Sequence, residues 1–321
     1  MKLTAVLLFA ALAQAQSPFK LEKTIPLPGV EGRFDHLAAD AHAKHVFLAA
    51  LGNNAVEVVD IDAGKRLQTL SGMHEPQGIG FAPDVHRIYV ANGKDGKLRI
   101  FDSATFKPVT EVMIGEDADN VRYDAPHKLI WVAHGDGALQ AMNTATGKLL
   151  GDINLDAHPE SFQLEKAGLR IFANVPDAGE IEVVDRDKKT VLAKWAVKDA
   201  AANFPMALDE TTHRLFSGCR KPAKVLVYDT ESGKVVAQFA CPGDTDDLYF
   251  DAARKRLYVA GGEGFLEAFA QKSANEYSSL GKIATAAGAR TGIYVPEWNR
   301  FILAVPHRGN QGAEVRVYTV E

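Results

Sequence analysis

Short hydrophobic runs recur at a nearly constant spacing along almost the whole chain. Successive runs lie 41 to 44 residues apart, and they begin at Val46, Ile88, Ile130, Ile171, Leu215, Leu257 and Phe301. A complete unit holds four segments of strand length separated by Gly, Asp and Pro turns, as an antiparallel sheet requires. Repeats of this length with four strands each are typical of propeller blades. We therefore predict an all-β fold, a seven-bladed β-propeller of four-stranded antiparallel blades.

The seventh unit is one strand short. Residues 314–318 already occupy the position of its third strand, and the chain ends at Glu321. An alternating segment, residues 19–27, precedes the first unit instead. We expect this N-terminal strand to complete the last blade by pairing with its third strand, because that closes the ring without a free sheet edge.

The third strand of the units carries two further patterns. In five units it ends in Asp or Asn, whose side chain we expect to cap the following turn: Asp60, Asp102, Asn143, Asp185 and Asp229. In two units, residues 56–59 and 181–184, apolar residues alternate around a single Glu. This alternation predicts packing between neighbouring blades.

The N-terminus resembles a cleaved leader. Lys2 precedes an apolar run over residues 3–12, and Ala13 and Ala15 supply the small residues of a cleavage site. We predict a signal peptide at residues 1–15 and a single propeller domain at residues 16–321, in the periplasm or secreted. Beyond the leader no apolar stretch approaches the roughly 20 residues of a membrane span, so we expect no membrane insertion.

The overall charge of the chain argues against one class of binding partner. The net charge is −5, with 36 basic and 41 acidic residues, which disfavours nucleic acid as a partner because such binding depends on basic residues.

The two cysteines, Cys219 and Cys241, both fall in the fifth unit. An oxidising compartment allows a disulfide between them, and two buried thiols are the alternative.

One motif resembles a known family. The segments Tyr89-Val90-Ala91-Asn92, Trp131-Val132-Ala133 and Tyr258-Val259-Ala260 are similar to the YVTN-type repeat of exported YncE-like seven-bladed propellers. The resemblance covers nearly the whole mature chain and implies the fold. It implies no particular ligand, since the fold relatives of that family include lactonases, lyases and binding proteins.

Polar side chains concentrate on the connections expected at one mouth of the channel. These are the loops from the fourth strand of one blade to the first of the next, and the loops after each second strand. Equivalent positions in separate blades face a common axis, and such a funnel of titratable groups is a site candidate. We predict ligand binding by Arg33, Asp35, His36, Gln77, Asn92, Asp119, Asn120, His134, Glu160, Asn174, Asn203, Arg220, Asp246, Arg290 and His307.

The first functional hypothesis is a monomeric binding or interaction protein. Mixed charge and several amides suit a small polar or zwitterionic molecule, or a peptide segment of a protein partner, and the arginines suit a carboxylate. No linear catalytic motif occurs, and we assign no catalytic residue.

Metal-dependent alternatives stay open. A lactonase-like hydrolase or lyase would use a divalent metal ion held by Asp35, Asp119, Glu160 and Asp246, with His36 or His134 as general base. A softer metal held by histidines is a third possibility. The sequence leaves enzyme and binder undecided.

Overall fold

The computed structural model describes residues 17–321, so the predicted leader lies outside the described residues. The 28 strands form seven four-stranded antiparallel sheets. The first strand of each sheet contacts the first strand of the next, and β26 of the last sheet contacts β2 of the first. The predicted seven-bladed β-propeller is confirmed, and the seven innermost strands surround the channel.

The first four blades follow the chain without interruption. Blade 1 contains β2 (Leu37–Asp40), β3 (His45–Ala50), β4 (Ala55–Asp60) and β5 (Lys65–Ser71). Blade 2 contains β6 (Pro76–Ala82), β7 (Arg87–Asn92), β8 (Lys97–Asp102) and β9 (Pro108–Met113). Blade 3 contains β10 (Val121–Asp124), β11 (Leu129–His134), β12 (Ala138–Asn143) and β13 (Leu149–Asn154). Blade 4 contains β14 (Phe162–Leu164), β15 (Arg170–Val175), β16 (Glu180–Asp185) and β17 (Thr190–Ala196).

The remaining blades complete the ring. Blade 5 contains β18 (Ala201–Asp209), β19 (Arg214–Lys221), β20 (Ala223–Asp229) and β21 (Val235–Ala240). Blade 6 contains β22 (Thr245–Asp251), β23 (Arg256–Gly261), β24 (Phe265–Ser273) and β25 (Glu276–Ala284). Blade 7 contains β26 (Gly292–Val295), β27 (Arg300–Val305), β28 (Glu314–Val320) and the N-terminal β1 (Phe19–Pro26).

The N-terminal strand closes the ring as predicted. β1 pairs antiparallel with β28, from Phe19 opposite Val320 to Pro26 opposite Glu314. Phe19 packs edge-on against Tyr258 of blade 6 at a ring separation of 5.6 Å. Burying Phe19 therefore joins the chain's N-terminus to two blades at once.

Apolar side chains fill the spaces between blades. One such core combines Val56 and Val58 of β4 with Ile88 and Val90 of β7. This confirms that the alternation in the third strand packs blade against blade, and burial of apolar area at ~25 cal/mol per Å² is the main stabilising contribution. Glu57, between the two valines, is just as buried.

The turns after the third strands have the predicted caps. Asp60 Oδ1 accepts a hydrogen bond of 2.8 Å from the backbone N–H of Ala63. The same contact, three residues along, is made by the four equivalent side chains, Asp102, Asn143, Asp185 and Asp229. These acidic and amide groups therefore hold the turns.

The two cysteines are free thiols. Cys219 lies on β19 and Cys241 follows β21, and β20 runs between these strands. Burial raises the pKa of the Cys219 thiol to about 11 and that of Cys241 to about 12. The structure thus has two protonated thiols rather than the disulfide alternative.

In the part of the chain that the structure describes, helical structure is limited to two single turns. These are 3₁₀-helices at Leu51–Asn53 and Pro296–Trp298. Within residues 17–321, no helix has the length and apolar character needed to cross a bilayer.

Candidate functional site

A polar pocket of about 130 Å³ lies where the innermost strands begin. Its lining comes from the connections into blades 1, 3 and 4, from the first strands of blades 2, 5 and 6, and from the end of β19: Arg33, Asp35, His36, Gln77, Asp117, Asp119, His158, Glu160, Phe204, Arg220 and Asp246. A second cavity of about 380 Å³ is lined by the innermost strands themselves and follows the channel. The structure thus brings eight of the predicted binding residues together at one mouth: Arg33, Asp35, His36, Gln77, Asp119, Glu160, Arg220 and Asp246.

His36 is surrounded by carboxylates from three blades. Its Nε2 lies 3.7 Å from Asp35 Oδ1 and 3.9 Å from Asp119 Oδ1, and its Nδ1 lies 3.4 Å from Asp247 Oδ1. Burial opposes the charged imidazole, but Asp247, Asp35 and Asp119 outweigh it and raise the pKa of His36 to about 10. His36 is therefore a buried cation at neutral pH.

The acidic residues of the pocket outnumber the cations that could pair with them. Burial, together with the charges of Asp119 and Asp246, raises the pKa of Asp35 to about 7, although His36 acts in the opposite direction. Burial also raises the pKa values of Asp119 and Asp246. Asp35 therefore keeps its proton to a higher pH than an exposed carboxyl group would.

Glu160 has the least compensated charge. Its backbone N–H is fixed to the Asn174 carbonyl at 2.9 Å, on the connection into blade 4. Its carboxyl makes no hydrogen bond or ion pair within the described part of the chain. Burial, and then the charges of Asp119 and Asp246, raise the pKa of Glu160 to about 8. The charge of His36 acts in the opposite direction, but among the described residues no cation is hydrogen-bonded or ion-paired with this carboxyl group.

The arginines at the mouth already have acidic partners. Arg33 Nη2 lies 3.2 Å from Asp35 Oδ2, and its side chain is 48% exposed. Arg220 pairs with Asp246 and lies 4.1 Å over the ring of Phe204. Arg33 is consequently the guanidinium that solvent, or a ligand, reaches most easily.

Three predicted amides hold the pocket wall instead of lining it. Asn92 is fully buried and donates to the Val90 and Lys97 carbonyls, both at 3.1 Å. Asn174 is also fully buried and donates to the Phe204 carbonyl at 3.1 Å. Asn203 is buried and donates to Asn174 Oδ1 at 3.0 Å. The contacts of Asn174 and Asn203 fix the segment that carries Phe204.

The other four predicted residues lie behind or beside the pocket. Asn120 is buried, with its side-chain nitrogen 3.0 Å from His36 Nε2. Arg290 pairs with Asp244 at 2.8 Å, next to the pocket. His134 is buried 3.4 Å from Asp152, and His307 pairs at 2.8 Å with Glu31. Neither histidine lines the pocket.

Known proteins share this architecture. No family model matches the chain. YncE of Salmonella typhimurium is 26% identical over 226 residues, which cover 65% of this chain and 63% of that protein. YncE of Escherichia coli K12 has the same identity and coverage. The chain is a seven-bladed β-propeller related to the YncE proteins.

The YncE relationship supports the fold and leaves the ligand unidentified. The alignment spans less than two thirds of each YncE protein, and both are described as uncharacterized. Among solved structures, a chain of Kuenenia stuttgartiensis hydrazine synthase has a TM-score of 0.80 at 15% identity, covering 92% of this chain and 99% of that one. The WD40 repeats of RRP9 have a TM-score of 0.81 at 9% identity, covering 94% and 100%. At these identities the likeness shows the fold alone.

The pocket does not offer a preformed metal site. A metal ion needs several donor atoms around one centre. Among residues 17–321, the set of three acidic, imidazole or thiolate donor atoms lying within 4.8 Å of one another is at Asp156, Glu180 and Glu182. None of these lines the pocket, and the set contains no histidine. We therefore place no divalent ion in the pocket.

Several residues of the site were not among the predicted binding residues. Asp117, His158 and Phe204 line the pocket, and Asp247 contacts His36 behind it. All four lie on the connections that the sequence places at this mouth. The available signal was position on those loops, which does not reveal where each side chain points.

Proposed function

We propose that this chain is an exported binding protein whose pocket accepts the cationic group of a small polar ligand or of a peptide segment. The lining holds five carboxyl groups, at Asp35, Asp117, Asp119, Glu160 and Asp246. Against them stand two arginines and the protonated His36. This excess of acidic groups favours a ligand that brings a positive charge.

The unpaired carboxyl of Glu160 is the observation that supports this proposal most strongly. Asp119, Asp246 and Asp35 all disfavour its ionised form, and among the described residues no cation contacts it. An ammonium group bound there would replace the proton on Glu160 and relieve the repulsion. Binding a cation therefore gains energy that the free protein lacks.

The small size of the pocket restricts how much of a ligand can enter. Sites for whole drug-sized molecules measure roughly 300–1,000 Å³, whereas this pocket measures about 130 Å³. One amine-bearing head group, or one side chain of a peptide, fits such a volume. The rest of the ligand would remain at the mouth.

Arg33 suits the second end of such a ligand. Its guanidinium lies at the rim, is 48% exposed and contacts one carboxylate, Asp35, at 3.2 Å. Guanidinium groups bind carboxylates through paired hydrogen bonds. A zwitterion with its ammonium near Glu160 and its carboxylate near Arg33 would use both features.

Export is part of this proposal. It is supported by the leader pattern of residues 1–15, with Lys2, the apolar run and the small residues at 13 and 15. We do not extend the proposal to the lactonase-like reaction. His36, its candidate general base in the pocket, holds a proton at neutral pH and cannot accept another.

The test is calorimetric titration of the mature protein, residues 16–321, with matched probes. γ-Aminobutyrate and a short lysine-containing peptide supply an ammonium group, and butyrate and butyramide lack it. We expect one or both ammonium probes to bind and the other two to give no heat. Binding of butyrate or butyramide equal to that of the ammonium probes would contradict the proposal.

Glu160→Gln is the variant that locates the site. We expect it to abolish binding of the ammonium probe. Glu116→Gln is the matched control, because Glu116 is exposed on the connection into blade 3 and does not line the pocket. Retained binding in the Glu160 variant would place the ligand elsewhere.

A further inference from the structure

Three acidic side chains meet between blades 3 and 4, away from the pocket lining. Asp156 lies on the connection that follows β13, and Glu180 and Glu182 lie on β16. One oxygen of each carboxylate lies within 4.8 Å of the others. Because residues 180 and 182 are two apart on a strand, their side chains share one face.

The burial of the Glu182 carboxylate indicates that this cluster binds a ligand. The residue is fully buried, and its Oε1 accepts the backbone N–H of Asp156 at 2.7 Å. Its other oxygen, Oε2, is buried with no hydrogen-bond donor. A buried carboxylate oxygen without a donor is costly, so native proteins normally provide a partner.

Blade 1 has a glutamate at the same position, and there it is paired with an arginine. Glu57 on β4 corresponds to Glu182 on β16, since each is third in its strand and pairs with the fourth residue of the preceding strand. Glu57 is equally buried, and its Oε1 likewise has no hydrogen-bond donor, but its Oε2 accepts hydrogen bonds from Arg66 at 3.2 Å and from Thr69 at 2.7 Å. Blade 4 has no such arginine at Glu182.

Lys194 supplies one positive charge, which is too little for three carboxylates. It lies on β17 directly opposite Glu182, pairs with Asp156, and lies 3.8 Å from Glu180 Oε1. Two negative charges remain uncompensated when all three acids are ionised. One divalent cation would neutralise them.

The geometry points to a calcium-type divalent cation site formed by Asp156, Glu180 and Glu182. All the donors are carboxylate oxygens, which are the ligands of hard cations such as Ca²⁺, and the cluster contains no His or Cys that would favour zinc. Glu182 is the buried ligand. Water completes the coordination on the side of Asp156, whose side chain is 55% exposed.

A cation here would hold a functional connection in place. Asp156 lies four residues before Glu160, on the same link between β13 and β14. The ion would tie this link to β16. It would thus fix the base of the segment that carries His158 and Glu160 to the pocket.

The test is thermal unfolding and calorimetry of the mature protein after EDTA treatment and removal of the chelator. We expect CaCl₂ at roughly 1 mM, the affinity range of extracellular calcium modules, to raise the unfolding midpoint saturably. NaCl at equal ionic strength is expected to have no such effect. A wild-type protein that does not respond to CaCl₂ would overturn the proposal.

Matched variants identify the ligands. Glu182→Gln should weaken Ca²⁺ binding about tenfold or more, because it removes a charged ligand. Glu57→Gln, at the equivalent position of blade 1, should keep the Ca²⁺ response. Since Glu182→Gln changes a buried residue, Asp156→Asn on the exposed side serves as a second variant that leaves the core intact and should also weaken binding.

The variant Lys194→Gln distinguishes Ca²⁺ binding at this site from nonspecific attraction of Ca²⁺ to the acidic protein surface. Removing the competing ammonium should strengthen Ca²⁺ binding severalfold, while the Asp156 variant weakens it. Unchanged Ca²⁺ affinity in both Asp156→Asn and Glu182→Gln would overturn the assignment.

Discussion

His36 Nδ1 lies 3.4 Å from Asp247 Oδ1, which joins the connection into blade 1 with the first strand of blade 6 across the channel mouth. The other oxygen of Asp247 accepts the backbone N–H of Gly292, at the start of blade 7, at 3.0 Å. Three blades therefore meet at one charged contact. The imidazolium at its centre is the internal cation of an acidic pocket.

Removing that cation should destabilise the protein in a pH-dependent way. We expect His36→Gln to lower the free energy of unfolding by about 3 kcal/mol at pH 8, since it leaves buried carboxylates without a partner. The loss should be larger at pH 5, because the stability that the raised pKa of His36 contributes is fully present below pH 6.5 and is partly lost by pH 8. Urea unfolding at both pH values measures it, with His42→Gln at an exposed position as the control. Equal losses at both pH values would contradict this account.

The wild-type protein should lose stability as the pH rises from 5 to 10. Asp35 and Glu160 have folded pKa values of about 7 and about 8, above their ordinary values, so the folded state binds more protons across that interval. His36, raised from 6.5 to about 10, adds stability below pH 6.5 that is lost as the pH approaches 10. All three effects have the same sign. A thermal midpoint measured by calorimetry that rises or stays level over this range would refute the assignment.

Glu160→Gln should stabilise the protein at high pH. At pH 9 the wild-type carboxylate is ionised beside Asp119 and Asp246, whereas the amide carries no charge. We expect the midpoint to rise by about 2 °C, corresponding to roughly 1 kcal/mol in a protein of this size. At pH 4 both side chains are neutral, so the difference should vanish. Glu116→Gln serves as the exposed control. An equal rise of the midpoint in that variant would show that the effect does not come from the acidic surroundings of Glu160 in the pocket.

The ring closure can be tested on two residues of one strand. Phe19 is 3% exposed and packs against Tyr258 and Phe301, while Leu21 on the same strand is 50% exposed. Phe19→Ala should cost about 3–5 kcal/mol, as large core truncations do, and Leu21→Ala should cost well under 1 kcal/mol. Deleting residues 16–28 should lower the midpoint further. Similar small effects of Phe19→Ala and Leu21→Ala would mean that β1 does not hold the ring together.

The repeat pattern was sufficient to predict the architecture. The seven apolar runs begin within one residue of the second strands, because buried strands of a propeller must be apolar at fixed intervals. Residues 19–27 were recognised as the closing strand by the missing strand at the other end. The seven-bladed ring and its closing strand both follow from the pairing of backbone strands. The spacing of apolar runs in the sequence is sufficient to predict that pairing.

The repeat pattern does not predict the direction in which an individual side chain points. Asn92 and Asn174 sit on the predicted mouth, yet their amides turn inward to backbone carbonyls. Glu182 sits in an alternating strand expected to pack apolar surfaces, and its burial with a single backbone donor follows from neighbours in another blade. The sequence pattern predicts on which loop or strand face a residue lies. It does not predict which residue of the neighbouring blade its side chain contacts.

Proton release on binding tests the central claim most directly. Calorimetric titration of the mature protein with γ-aminobutyrate at pH 7, in two buffers of different ionisation enthalpy, counts the protons exchanged. If the ammonium replaces the proton on Glu160, whose pKa is about 8, about one proton should be released per ligand bound. Binding without proton release, or no binding by any ammonium-bearing probe, would contradict the account.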